Sequence, residues 1–205
     1  MRKGILVACV SACVVVALPL VWLVNRPRRN FDRFLEEVAT VEIGKTKLDE
    51  WRRQLDEKQI SNVTLKCAQQ TCGIGWSGEN RLLQKLRLAP RTVVSVSVGF
   101  KDGIAEEIYI LLSILKRNDQ GDWLDDRGVV VRQHTDVPST CDPHYRLDVK
   151  THSGVGDRYW ATVAMDACVS PADRTKAIAI NTSCLTKIGG CKTVEEMIPP
   201  VFSRP

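Results

Sequence analysis

The sequence predicts an α+β protein, with one N-terminal transmembrane helix followed by a single domain of short helices packed on an antiparallel β-sheet. Three observations predict this class. Residues 4–24 carry no charged side chain, the segment after them repeats apolar side chains at helical spacing, and from Val63 onward apolar side chains follow the spacing of β-strands. No internal repeat or long linker divides the rest, so residues 30–205 are predicted to form one domain.

The transmembrane prediction depends on the length and flanks of the apolar segment. At about 1.5 Å per residue, residues 4–24 just cross a hydrocarbon layer of about 30 Å. Basic residues flank the segment on both sides, so the positive-inside rule gives no orientation. Residues 1–29 are predicted to form a membrane anchor with these basic flanks: Arg2, Lys3, Arg26, Arg28 and Arg29.

Three other roles for the apolar segment fit less well. A cleaved secretory signal needs small residues near its end, where Val21 to Arg26 are mostly bulky. The lipobox-like positions at Cys9 and Cys13 lie too near the start and are followed by more apolar sequence. A pilin-type stem would carry a glutamate near its start, which this segment lacks.

The charge distribution argues against a nucleic-acid partner. The five basic residues in positions 1–29 account for the whole net charge of +5, so residues 30–205 carry equal numbers of basic and acidic residues. A nucleic-acid-binding domain needs a basic face of its own. The basic isoelectric point therefore reflects the flanks of the apolar segment alone, and the predicted partner is the membrane, through residues 4–24.

The cysteines predict an oxidising compartment, in the periplasm or outside the cell. Two of the eight cysteines lie in the apolar segment, and the other six form an even set within the domain. Local pairs Cys67–Cys72 and Cys184–Cys191 are predicted, which leaves Cys141 with Cys168. This connectivity is one of 15 arrangements. A zinc site with Cys141, His144 and Cys168 is an alternative, but the spacing departs from that of zinc knuckles. Free thiols are a third alternative.

Two helices are predicted after the anchor. Asn30 is predicted to cap a helix over residues 31–41, whose apolar residues recur at the spacing i, i+3, i+4 and i+7. Gly44 ends this helix. Thr46 and Asp49 resemble a capping box at the start of a second helix that extends to about Lys58.

The middle of the chain predicts two hairpins. The first would place Cys67 opposite Cys72. After a short helical stretch at 80–87, the second would join strands 92–100 and 104–115 through a three-residue turn. That turn pairs Phe100 with Ile104 and therefore Val96 with Ile108.

The remaining elements complete a sheet of six or seven strands. Strands are predicted at 129–132, 145–151 and 158–166, all in antiparallel pairing, with a final short strand at 177–180. A capped helical turn is predicted at 181–190, where two glycines end it.

Two glycine motifs resemble nucleotide-binding loops without their context. Gly44-Lys45-Thr46 is the tail of a phosphate-binding loop, but Ala39 stands where that loop needs glycine. Gly73 to Gly78 matches G-x-G-x-x-G, yet no parallel βαβ unit and no acidic residue at the ribose position accompany it. These glycines are interpreted as turn and bulge residues.

The sequence contains no characteristic motif for a hydrolytic or a calcium site. His134, His144 and His152 could form hydrolytic sets with many Ser and Asp residues, so no particular set is indicated. The acidic loop 118–126 lacks the spacing of an EF-hand. Two sequons begin at Asn62 and Asn181. No catalytic residue, metal ligand or cofactor is therefore predicted.

The sequence thus predicts a membrane-anchored, non-catalytic binding or envelope-assembly module whose domain faces the periplasm or the exterior. A protein of the envelope is the candidate partner, bound through the sheet or the loops. The alternative is an anchored hydrolase whose site is assembled from scattered residues.

Overall fold

The computed structural model describes residues 22, 25–26, 28–135, 142–152 and 158–203. It shows an α+β fold with a seven-stranded sheet in the order β1-β2-β3-β4-β5-β7-β6. The strands are β1 (Val63–Ala68), β2 (Thr71–Glu79), β3 (Arg91–Lys101), β4 (Ile104–Arg117), β5 (Trp123–His134), β6 (Arg146–His152) and β7 (Arg158–Met165). The helices are α1 (28–40), α2 (Leu48–Glu57), α3 (Arg81–Lys85), α4 (Pro171–Ile178), α5 (Val194–Met197) and α6 (Pro199–Phe202), with a 3₁₀ turn at Thr182–Leu185.

The predicted α+β class is confirmed. The predicted membrane helix over 4–24 lies, except for Trp22, outside the described residues. Within the described ranges, no helix combines the length and the apolar character needed to cross a bilayer.

The prediction of antiparallel pairing is correct for every ladder except one. β5 and β7 are parallel, because β6, which follows β5 in sequence, lies at the edge beyond β7 and pairs antiparallel with it. β7 buries Ala161, Val163 and Met165, whereas β6 is largely polar. The more apolar strand therefore takes the inner position, and the polar strand forms the edge of the sheet.

The central hairpin has a tighter turn than predicted. Only Asp102 and Gly103 form the turn, with φ angles of 52° and 77°. Two positive φ angles match a type I′ turn, for which Asp-Gly is a preferred sequence. Together with a β-bulge further along the hairpin, this turn places Val96 opposite Ile110 rather than Ile108. The shift of two residues keeps the same side chains on the same face.

The glycines between 73 and 78 lie inside β2, so their interpretation as turn and bulge residues is wrong. The hairpin that precedes them is as predicted, with Cys67 opposite Cys72. At Gly78 a Cβ atom would lie 2.3 Å from Cη2 of Trp76. Glycine is therefore required there because the indole of Trp76 lies against the strand backbone.

The core lies between one face of the sheet and the helices. Phe31 of α1 stacks on Trp76 with ring centroids 5.1 Å apart. Further along α1, Phe34 contacts Trp51 of α2, which in turn contacts Phe100, both at 5.9 Å. All five rings are buried, so α1 is held along the sheet by aromatic packing.

Two of the predicted helix caps are wrong. Asn30 lies inside α1, and its Nδ2 donates to Oγ of Ser61 at 2.8 Å. Thr46 does not cap α2, because its Oγ1 accepts from the backbone N–H of Glu42 at 2.8 Å. The predicted second helix itself is confirmed, and it buries Trp51 and Leu55.

The C-terminal region is more helical than predicted. The predicted strand at 177–180 is wrong, because residues up to Ile178 belong to α4. Ser170 caps this helix by accepting from the N–H of Asp173, and Pro171 is its first residue. The predicted capped turn is confirmed, because Oδ1 of Asn181 accepts from the N–H of Ser183.

Candidate anion-binding groove

Both of the local disulfides that the sequence predicted are present, Cys67–Cys72 and Cys184–Cys191. Cys168 is also disulfide-bonded, and its predicted partner Cys141 lies outside the described residues. Cys184 and Cys191 are buried, whereas the hairpin of the first disulfide is largely exposed.

A groove of about 690 Å³ opens where β3 begins, β4 ends and β5 begins. We call it the Trp123 groove, after the aromatic residue in its wall. Ten of the described residues line it, and none of these is acidic. The side chains used below are Lys85, Arg87, Leu88, Arg91, Arg117 and Trp123.

The wall between β2 and β3 is held in place by Asn80. Its Oδ1 accepts from the N–H of Thr92 at 2.8 Å, and its Nδ2 donates to the carbonyl of Pro90 at 2.8 Å. Asn80 is buried, so these bonds are protected from water. The loop also places Arg87 in the left-handed region, at φ 57°, a conformation that costs free energy for most residues.

The Cys184–Cys191 loop supports the same wall from outside. The N–H of Gly189 donates to the carbonyl of Leu88 at 2.8 Å. A Cβ at Gly190 would lie 3.1 Å from Cγ of Pro90, so only glycine permits this approach without displacing a neighbour. The disulfide therefore fixes a loop that forms part of the groove.

Two of the cationic side chains lie beside the aromatic wall. The guanidinium groups of Arg91 and Arg117 each lie 5.5 Å from the ring centroid of Trp123, within the range of cation–π attraction. Nε of Arg91 also donates to Glu79 at 2.9 Å, and Arg81 pairs with the same carboxylate. These bonds orient Arg91.

Glu79 remains ionised beside these arginines. Burial by itself would raise its pKa, but the hydrogen bonds from Arg81 and Arg91 outweigh this effect and hold the pKa of Glu79 below its ordinary value. One carboxylate thus serves two arginines. Among the described residues, neither Lys85 nor Arg87 forms an ion pair with a carboxylate.

This arrangement is suited to binding an anion. Arginine presents a planar set of N–H donors that matches carboxylate and phosphate oxygens, and lysine supplies a point charge. Sequence reasoning missed the groove because residues 30–205 are neutral as a whole. The available signal was local: four basic residues, Arg81, Lys85, Arg87 and Arg91, occur within 81–91 without an acidic residue between them.

Among the residues considered for hydrolysis, His144 lies beside Asp173. Nδ1 of His144 lies 2.7 Å from Oδ2 of Asp173, but the histidine side chain is 74% exposed. His134 lies opposite Glu107 in the sheet, and the side chain of His152 lies outside the described part. Ser170, the serine nearest to Asp173 in sequence, is used as the cap of α4.

The His144–Asp173 pair predicts a pH dependence. The hydrogen bond and the negative charge of Asp173 raise the pKa of His144. A raised folded-state pKa stabilises the protein below the unfolded value of about 6.5, and this contribution is lost as pH rises through the folded value. We expect Asp173→Asn to lower the pKa of His144, as measured by NMR titration of the ring. An unchanged pKa would contradict the pairing.

The loop considered for calcium is a closed turn. Oδ1 of Asn118 accepts from the N–H of Asp122 at 2.7 Å, and Nε of Arg117 donates to the carbonyl of Gly121. In the part of the chain that the structure describes, no three His, Cys, Asp or Glu side chains are grouped to hold a metal ion.

The second face of the sheet and a second cavity are weaker candidates for a binding site. Side chains on the face away from the helices, among them Tyr109, Leu111 and Val130, are only half-buried. A cavity of about 440 Å³ at the other end of α1 is lined by Gln133 and Arg174, but the guanidinium of Arg174 donates to carbonyls at the end of α1. The Trp123 groove therefore remains the candidate site by its own geometry and charge.

The chain matches no protein-family model, no curated protein and no solved structure.

Proposed function

We propose that the protein is a non-catalytic binding module, anchored in a membrane by residues 4–24, whose domain faces the periplasm or the exterior and binds an anionic group in the Trp123 groove. The observation that carries the proposal is that four cationic side chains and one indole line the same groove, with no acidic residue among the described residues of its lining. The disulfides support an oxidising compartment.

The basic residues of the groove differ in whether they already have partners, and this difference supports anion binding. Arg91 and Arg117 already have partners, Glu79 and the carbonyl of Gly121, so they form a fixed positive wall. Lys85 and Arg87 have no carboxylate partner among the described residues, and their donors are therefore available to a ligand. Hydrogen bonds between charged groups contribute about 1.5–3 kcal/mol each.

Inorganic pyrophosphate tests the proposal with a simple anion. We expect the full chain in neutral detergent micelles to bind it, and Lys85→Gln/Arg87→Gln to bind it at least about tenfold more weakly, because two charged donors are lost. Isothermal titration calorimetry measures both constants. The matched control is Arg52→Gln/Lys66→Gln, which removes one exposed arginine and one exposed lysine elsewhere.

Two results would refute the assignment. One is the absence of pyrophosphate binding by the unaltered chain. The other is an equal loss of affinity in the control variant, which would mean that overall charge, rather than the groove, attracts the anion.

The anchored hydrolase remains the alternative because of the His144–Asp173 pair. Histidine oriented by a carboxylate is the base of many hydrolytic sites. Turnover of a chromogenic ester by the unaltered chain, lost in His144→Ala, would favour the hydrolase over the binding module.

A further inference from the structure

We infer that the end of the domain that carries the Trp123 groove docks on the anionic headgroups of the membrane in which the protein is anchored. This inference rests on the proposed function and names the source of the anion. Its basis is the position of α1, the exposure of three apolar side chains and the charges around them.

The first residues of α1 lie at the same end of the sheet as the groove. Nε of Arg28 donates to Oγ1 of Thr182 at 3.2 Å, and Thr182 begins the turn that contains Cys184. Phe31 stacks on Trp76 near the end of β2, the strand that leads into the groove loop. Further along, α1 approaches Phe100 through Phe34 and Trp51. The helix thus leads away from the groove end.

The connection to the predicted membrane span is short. Residue 28 follows residue 24 by four positions, and a chain of that length reaches at most about 14 Å even when fully extended. The end of the domain that holds residue 28 must therefore lie near the lipid headgroups. The groove opens at that same end.

The rim of the groove is amphipathic. Leu86, Leu88 and Ile188 are 54%, 42% and 71% exposed, and the bond between the N–H of Gly189 and the carbonyl of Leu88 brings the two loops together. Lys85 and Arg87 alternate with the two leucines in sequence. Exposed apolar side chains among basic residues are typical of surfaces that enter the headgroup region of a bilayer.

The distribution of charged residues at the groove end of the domain indicates which residues contact the membrane. Each basic residue near an anionic leaflet strengthens binding about fivefold. Asp119 and Asp122 lie in the β4–β5 turn beside Arg117, so this turn is a poor contact for an anionic surface. The contact surface is therefore formed by residues 84–91 and 187–189, which contain the basic and apolar residues of the rim.

Hydrogen exchange of the full chain in nanodiscs tests the inference. We expect the amides of 84–91 and 187–189 to exchange about tenfold more slowly in discs of equal parts phosphatidylcholine and phosphatidylglycerol than in phosphatidylcholine alone. Lys85→Gln/Arg87→Gln should abolish the difference. Leu86→Ser/Ile188→Ser should reduce it while leaving pyrophosphate binding intact, and Arg52→Gln/Lys66→Gln should preserve it.

The outcomes separate this inference from the proposed function. Equal exchange in both kinds of disc, with pyrophosphate binding retained in detergent, would overturn the membrane contact and leave the anion-binding module in place. Protection of the same strength in phosphatidylcholine alone would also overturn it, because anionic headgroups would then not be required. If pyrophosphate binding fails as well, the proposed function falls too.

Discussion

Replacing Trp76 by alanine is expected to lower the free energy of unfolding by about 3–5 kcal/mol, the usual cost of deleting a buried aromatic side chain. Trp76 is 2% exposed, stacks on Phe31 and donates its Nε1–H to the carbonyl of Ser61 at 3.1 Å. Its removal leaves a cavity between α1 and the sheet. Since whole domains are stable by only about 5–15 kcal/mol, the effect is large.

Urea denaturation of the full chain in micelles, followed by circular dichroism, measures this loss. Tyr159→Ala is the matched control, because Tyr159 is an aromatic residue of the same domain that is 37% exposed and surface substitutions usually change stability by less than about 0.5 kcal/mol. A loss below about 1 kcal/mol for Trp76→Ala would show that α1 does not pack on β2 as described.

Removing the Cys184–Cys191 disulfide by double alanine substitution is expected to cost about 3–5 kcal/mol and to weaken pyrophosphate binding. Closing a loop this short contributes about 2.5 kcal/mol through the entropy of the unfolded chain. The rest comes from the packing of two buried cysteines and of the loop against Pro90. Because Gly189 bonds to Leu88, release of the loop also loosens the groove wall.

The Cys67–Cys72 disulfide provides the comparison. Its loop is of similar length, so the same model gives about 2 kcal/mol, but its hairpin is exposed and lies away from the groove. We expect the Cys67→Ala/Cys72→Ala variant to lose about that much stability in denaturant titration and to bind pyrophosphate normally. Equal effects of the two variants on binding would show that the Cys184–Cys191 loop does not support the groove.

Local patterns in the sequence predicted the elements that depend on neighbouring residues. The period of apolar residues identified α1, α2 and the central hairpin, and the short spacings of Cys67–Cys72 and Cys184–Cys191 favoured local pairing. The register error at Asp102-Gly103 also has a local cause, because the choice between two-residue and three-residue turns depends on φ angles that Asp and Gly both tolerate.

Non-local arrangements were not predictable in the same way. The parallel pairing of β5 with β7 depends on competition between two strands for an inner position. The short apolar segment at 177–178 is compatible with a strand or with a helix. The cap at Ser170 and tertiary packing favour the helix α4. The Trp123 groove joins side chains from 85 to 123 with a loop at 189, which no single segment contains.

The sequence by itself thus determined the fold class, the local disulfides and the prediction of an anchor, because each depends on composition or on residues close together in the chain. Only the tertiary structure decided which strands are neighbours and where the basic residues of a neutral domain gather. The physical reason is that strand order and charge clustering depend on contacts between distant segments, whose free energy is set by packing rather than by local periodicity.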